Sequence, residues 1–348
     1  MLTFMTRTIF ALTLSLFVAS TFAEATADMA FAEASAGQGA TPETQTAAQP
    51  AVATAPKTIV QLVRDAIAEN DFKKAEKLVI DNRAENGTTP ISIEAFSWLG
   101  RGYVAAKRYD EAMTYAARTY EIVEEQLKTR KLDDEPRLPI ALGAAIEVQA
   151  LALAGQGKRS EAIMTLQREL EQYKGTSIVM RLNKNVNLLS LEGQPALPWA
   201  SAEWLGPKPP TAAELKGKPV VIFLWAHWCG DCKKQGPILD AIVNKYRSSG
   251  IVVIAPTQLF GYVEKRKPAG PAEELAYLER IRDEFYPWMK TVSAPISDDV
   301  YTKYGVSTTP TYVMIDRDGK VSSYLPGQPT AEQLEPLIKK ITEVASSR

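Results

Sequence analysis

The sequence holds two cysteines and one histidine, and it carries no excess of either charge: 40 Lys and Arg stand against 41 Asp and Glu. Two cysteines are too few for a disulfide framework, and 348 residues can bury a core without one. A net charge of −1 provides no general surface for nucleic acid or anionic membrane. A zinc site ordinarily takes four ligands, and only His227 stands near the two sulfurs. The first apolar stretch, Ile9 to Val18, is short for a membrane span.

Both cysteines fall in one segment, Val220 to Pro237. The apolar run Val220 to Trp225 reads as a buried strand. After Cys229-Gly230-Asp231-Cys232 the pattern turns helical, with Ile238, Leu239, Ile242 and Val243 on one face. The pair therefore sits at a strand-to-helix junction. Unpaired N–H groups and the helix dipole favour a thiolate there. Cys229 is expected to be the attacking and more exposed sulfur, and Cys232 the buried resolving thiol. A disulfide across two intervening residues closes too small a loop to stabilise a fold of this size much, which argues against a purely structural bond. Pro237 falls inside the following helix and is expected to kink it.

Trp225-Ala-His-Trp-Cys-Gly-Asp-Cys-Lys233 with Pro237 resembles the active-site segment of thioredoxin-like proteins. Leu215 to Pro219 and Tyr304 to Gly319 resemble the TlpA/ResA-like branch of extracytoplasmic thiol-disulfide oxidoreductases. The resemblance starts near Gly193 and implies an α/β thioredoxin-like domain, a central mixed sheet flanked by helices. It also implies that Pro310 is cis and faces the cysteines, so that the Thr309 backbone can bind a substrate strand beside Cys229. An ordinary trans proline at a strand start is the alternative. Trp228 joins Thr309 as an expected substrate contact.

Three residues are candidates to tune the sulfurs. His227 would favour the thiolate if protonated; otherwise it is an exposed, mostly neutral ring. Relatives commonly carry a buried Asp where Phe223 stands and a Glu where Gln235 stands. Without them Asp231 is the nearest carboxylate, expected to be exposed, and its charge would favour the thiol over the thiolate.

Four regions are expected. Residues 1–23 read as a secretory signal: Arg7, an apolar stretch, then Thr21-Phe22-Ala23. This places the protein in the periplasm or elsewhere outside the cytoplasm, with retention of the segment as an anchor as the alternative. Residues 24–57, rich in Ala, Thr, Gln and Pro, read as a disordered linker. Residues 58–190 have helical periodicity and three overlayable hairpins. Their alanines, Ala75, Ala112 and Ala162, stand 37 and then 50 residues apart, and the Lys131 to Pro136 loop absorbs the difference. With Leu99, Gly100, Tyr103 and Tyr109 they resemble tetratricopeptide repeats, an all-α domain whose concave surface would bind a partner protein. Residues 191–348 form the thioredoxin-like domain. Within it, the long Thr257 to Pro271 segment would either rim the site or be a solvated loop, and the closing helix, Thr330 to Val344, is expected to kink or restart at Pro336.

These features point to an exported dithiol reductase that needs no cofactor and no metal. Its partners would be a disulfide-bearing client protein, a membrane thiol electron donor and a protein recruited by the helical repeats. The alternatives are a partner-binding adaptor with a regulatory or structural redox domain, and a disulfide oxidase or isomerase. A thiol peroxidase lacks its usual upstream Pro and Thr or Ser, since Trp225-Ala-His-Trp228 stands there.

Overall fold

The computed structural model describes residues 56–199 and 201–343. The expected signal segment and nearly all of the expected linker lie outside the described residues. In the first half, short polar turns divide the chain into three pairs of helices. These are α1 (Ile59–Ala68) with α2 (Phe72–Asn86), α3 (Pro90–Ala105) with α4 (Tyr109–Leu127), and α5 (Arg137–Gly155) with α6 (Arg159–Gln172). A seventh helix, α7 (Val179–Ser190), completes this half.

The turns inside the three pairs are built alike. Asn70, Lys107 and Gly157 each take a left-handed conformation, with φ of 58°, 58° and 81°. After each, an N–H reaches back to the preceding helix: Asp71 to the Ala66 carbonyl, Arg108 to Tyr103 and Lys158 to Leu153, at 2.8–2.9 Å. Such six-residue closures satisfy carbonyls left open at a helix C-terminus. The three turns stand at the same 37- and 50-residue offsets as the three alanines. Of the thirteen extra residues in the last interval, six lie between α4 and α5, where a 3-10 turn at Leu132–Asp134 sits in the expected loop, and seven lengthen α4 and α5 relative to α2 and α3.

Packing within the pairs follows side-chain size. Ala75, Ala112 and Ala162 are completely buried. Gly100 faces the backbone of Ala112 and Ala116 and the side chain of Val148, so α3 approaches α4 closely. Tyr103 stacks between Phe72 and Tyr115, at ring separations of 4.3 and 5.2 Å. Helix α5 is apolar on nearly every face because α3, α4, α6 and α7 all pack on it.

The second half is organised by β2 (Val220–Leu224), all five residues of which are buried. It pairs in parallel with β3 (Val252–Ile254) and antiparallel with β5 (Thr311–Ile315), which pairs antiparallel with β6 (Val321–Pro326). The strand order is therefore β3-β2-β5-β6. A small sheet of β1 (Glu203–Leu205) and β4 (Ala294–Ile296) joins beyond β3 through bridges Ile254–Ser293 and Thr257–Ile296. Alternation along β2 sends Val221 and Phe223 to one face and Val220, Ile222 and Leu224 to the other. The first face is covered by α8 (Gly230–Lys245), α9 (Pro271–Phe285) and α11 (Ala331–Thr342); the second by α10 (Asp298–Tyr304). Pro237 and Pro336 lie inside α8 and α11, and both helices continue past them. The restart expected at Pro336 is absent; the residue whose carbonyl loses its helical partner there, Glu332, is exposed.

The two halves are joined side by side as well as through the chain. Asn183 and Asn187 of α7 donate amide hydrogen bonds to the carbonyls of Thr302 and Lys303 in α10, at 3.2 and 2.8 Å. Gly305 ends α10 at φ +62°, and a Cβ there would overlap the backbone of Lys184. Helix α7 is held to α5 by Glu147, whose Oε2 accepts from Arg181, Lys184 and Asn185, each at 2.9 Å. Burial opposes the charge on Glu147, but the two cations outweigh it and hold its carboxyl well below the usual range. A Gly305→Ala variant meets both a left-handed backbone and the α7 main chain. It should lose more than about 1 kcal/mol of stability in urea denaturation, and limited proteolysis should cut more readily between α7 and β1.

Candidate functional site

Strand β2 ends against a set of anchors at Trp225. The Trp225 indole N–H donates to the Ala255 carbonyl at 3.0 Å. Its own carbonyl accepts from the hydroxyls of Thr257, at 2.8 Å, and Tyr301. Held this way, the chain turns through Ala226 to Trp228 and enters α8 with Cys229 as its N-cap. The Cys232 N–H donates to the Cys229 sulfur at 3.0 Å. A first-turn N–H thus points at the sulfur expected to carry charge, as the sequence pattern implies.

Cys229 and Cys232 are joined by a disulfide. The expected order of exposure holds, but within narrow limits: Cys229 is 4% exposed and Cys232 fully buried. The Thr309 carbonyl oxygen lies 3.5 Å from the Cys229 sulfur, and the Thr309–Pro310 bond is cis. The segment before β5 and the start of α8 are therefore brought together as the resemblance implies. Trp228 is the exposed neighbour of this pair, at 41%.

The candidate tuning residues fall elsewhere. Asp231 is half-buried and pairs with Lys234 at 3.1 Å, so its charge is partly offset. Gln235 is buried, accepts from the Tyr312 hydroxyl at 2.8 Å and donates to the Pro329 carbonyl at 3.1 Å. Phe223 packs among the rings of Tyr286, Trp288 and Tyr312. Burial raises the phenols of Tyr286 and Tyr312 far above their ordinary range, so both stay neutral.

His227 is not the exposed ring that the sequence allowed as an alternative. It is 1% exposed and faces away from solvent, enclosed edge-on by Phe260, Tyr262 and Tyr277 at 5.2–5.3 Å. Its Nε2 bonds Glu274 Oε1 at 3.1 Å. Burial lowers its pKa below the ordinary value, against an opposing pull from Glu274. Burial thus works against the protonated His227 that would favour the thiolate. Glu274, Tyr312 and Trp225's anchors were not legible from spacing alone. The only local signal for Glu274 was an acidic residue in the first turn of a helix opened by Pro271.

The Thr257 to Pro271 segment is tied by its own main-chain bonds, while Glu264 to Pro268 at its tip are exposed. Tyr262 bridges Pro268, Val263 N–H donates to Lys267 and Ala269 N–H to Gly261, at 2.9 and 3.0 Å. Its Phe260 meets the Trp228 ring edge-on at 5.6 Å.

Residues 210–342 match the family model for a thioredoxin-like domain. Proteins named thiol-disulfide oxidoreductase ResA from Bacillus thuringiensis subsp. konkukian and Bacillus anthracis are 31% and 32% identical over 129 residues, which is 37% of this chain. The chain spans 66% of the length of these relatives, just under two thirds. A solved thioredoxin family protein from Chlorobium tepidum, described as a thiol:disulfide interchange protein, aligns at 17% identity with a TM-score of 0.31. That alignment covers 39% of this chain and 88% of the other. The C-terminal part of this chain is thus a thioredoxin-like domain homologous to that of the ResA oxidoreductases.

His227 is the only histidine in the sequence. Its folded pKa lies below that of an unfolded histidine, about 6.5. The unfolded chain therefore binds the extra proton first as pH falls, and stability, full above that value, declines on acidification through it. Urea midpoints should fall between pH 7.5 and pH 5.5 for the native sequence and stay nearly level for His227→Phe. Equal slopes for the two proteins would contradict the burial of a neutral ring.

Proposed function

We propose that this protein is an exported thiol-disulfide oxidoreductase that reduces disulfides of client proteins. The observation that carries the reading is the placement of Cys229. It caps a helix, receives an N–H from Cys232, and lies beside the Thr309 carbonyl, where an extended client backbone can pair.

In the reduced enzyme, the Cys229 thiolate attacks one sulfur of a client disulfide. The sulfur–sulfur bond of the client breaks, its second sulfur leaves as a thiolate, and a mixed disulfide forms. Cys232 then loses its proton to solvent and attacks Cys229. The client departs with both sulfurs reduced, having taken up two protons in all, and the enzyme is left with the Cys229–Cys232 bond. A thiol electron donor at the membrane restores the dithiol by the same exchange in reverse.

No acidic group stands at the two positions where relatives keep one. Gln235 is engaged by Tyr312 and Pro329, and Phe223 lies among rings. Deprotonation of Cys232 in that neutral surrounding is the slow step of this scheme, because burial without a positive partner disfavours a thiolate.

Export is the reading of residues 1–23, and a disulfide-bearing substrate is at home outside the cytoplasm. The three alike helix pairs support a tetratricopeptide-type half that recruits a partner, either a client or the electron donor.

Cys229→Ser should reduce client turnover to the uncatalysed background, measured as dithiothreitol-driven reduction of insulin. Cys232→Ser should accumulate a mixed disulfide on Cys229, visible on non-reducing gels and absent from the double Ser variant. A Cys232→Ser protein that traps no client above that control would favour the adaptor reading, in which binding by the helical half is the whole activity.

A further inference from the structure

Beside His227, two residues before Cys229, lies a buried carboxyl group that the exchange chemistry itself does not use. Glu274, in the first turn of α9, is 1% exposed. Three donors converge on it. Oε1 takes the Phe260 N–H at 2.6 Å and faces Nε2 of His227 at 3.1 Å, and Oε2 takes the Gly261 N–H at 2.8 Å. One side chain thereby ties the rim segment to the active-site turn, two residues before Cys229. Its two loop partners are main-chain groups, so what it fixes is the backbone path of the rim at Phe260.

That path decides where an apolar surface stands. The Phe260 ring meets Trp228 edge-on, and its other edge contacts are His227 and Tyr301. Trp228 is the exposed residue next to Cys229. Trp228 and Phe260 together form a wall adjoining the attacking sulfur, and Glu274 is the polar group that holds its outer member in place.

Resting on the oxidoreductase reading above, we infer that Glu274 is a positioning residue for client recognition. Through Phe260, Gly261 and His227 it presents the Trp228–Phe260 wall, against which apolar side chains flanking a client disulfide lie. The substrate class is thus protein or peptide disulfides with apolar neighbours, in preference to small hydrophilic disulfides. A small disulfide needs Cys229 alone, whereas an extended segment needs the wall as well as the Thr309 backbone.

The chemistry of a glutamine at this position makes the test sharp. Gln has the same shape but presents one donor and one acceptor to three groups of which two are fixed N–H donors. Whichever way it is turned, an amide NH2 opposes the N–H of Phe260 or Gly261, and one loop bond is lost.

The experiment compares the native protein, Glu274→Gln and Phe260→Leu, each as the full chain. It measures kcat and KM for insulin and for hydroxyethyl disulfide under the same reductant. For Glu274→Gln the ratio of insulin to hydroxyethyl disulfide kcat/KM should fall about tenfold, chiefly through KM. Amide exchange at Phe260 and Gly261 should quicken at least about tenfold while α5 keeps its protection. Phe260→Leu should show the same loss of ratio without touching Glu274, and it carries the test if Glu274→Gln folds poorly. A ratio unchanged in both variants overturns the proposal, as does an equal loss for both substrates. Native protein that fails to turn over either disulfide overturns the oxidoreductase reading itself, a result separable from any change in ratio.

Discussion

The fold depends on one junction, the turn from a fully buried strand into a helix that begins at a sulfur. Because every residue of β2 is inside, the strand cannot slide without exposing apolar surface or burying polar groups. The Trp225 anchors then stop the chain at a fixed height above the sheet. The turn from Ala226 to Trp228 is short enough that the helix must open at Cys229. The donor that meets the sulfur is the main-chain N–H of Cys232, which every residue but proline would supply. A helix start of this kind favours negative charge through its backbone path, without a charged neighbour.

The interior beneath the pair is the counterpart of that preference. Rings and an amide occupy it. Tyr312 donates to the Gln235 side-chain carbonyl, the Gln235 amide donates to the Pro329 carbonyl, and Phe223 packs against its aromatic neighbours. The two sulfurs thus meet opposite conditions along one helical turn, a polarised end at Cys229 and a neutral apolar floor at Cys232.

Much of this was legible in the chain. A continuous apolar run located β2 and a period-3.6 pattern located α8, and the three hairpin turns were visible as polar interruptions at matching offsets. The resemblance brought Pro310 to the cysteines, a long-range contact that no local pattern contains. Burial of polar side chains could not be read. His227 looked exposed because histidine usually is, and its three aromatic neighbours come from residues 33 to 50 positions downstream. Glu274 looked like an ordinary acid at a helix start. Its role arises from two main-chain N–H groups on a loop whose course depends on the finished fold. At Pro336 two outcomes were open, a kink or a restart, and α11 runs through without the restart.

The joint between α7 and α10 has a mechanical side. From Gly305, pressed against the α7 backbone, only four residues lead to Thr309 at the rim of the cysteine pair. The helical half is therefore fastened to the same short span of chain that carries the Thr309 carbonyl past the Cys229 sulfur. A load applied to the helical half would act on the chain beside the cysteine pair with almost no slack between them.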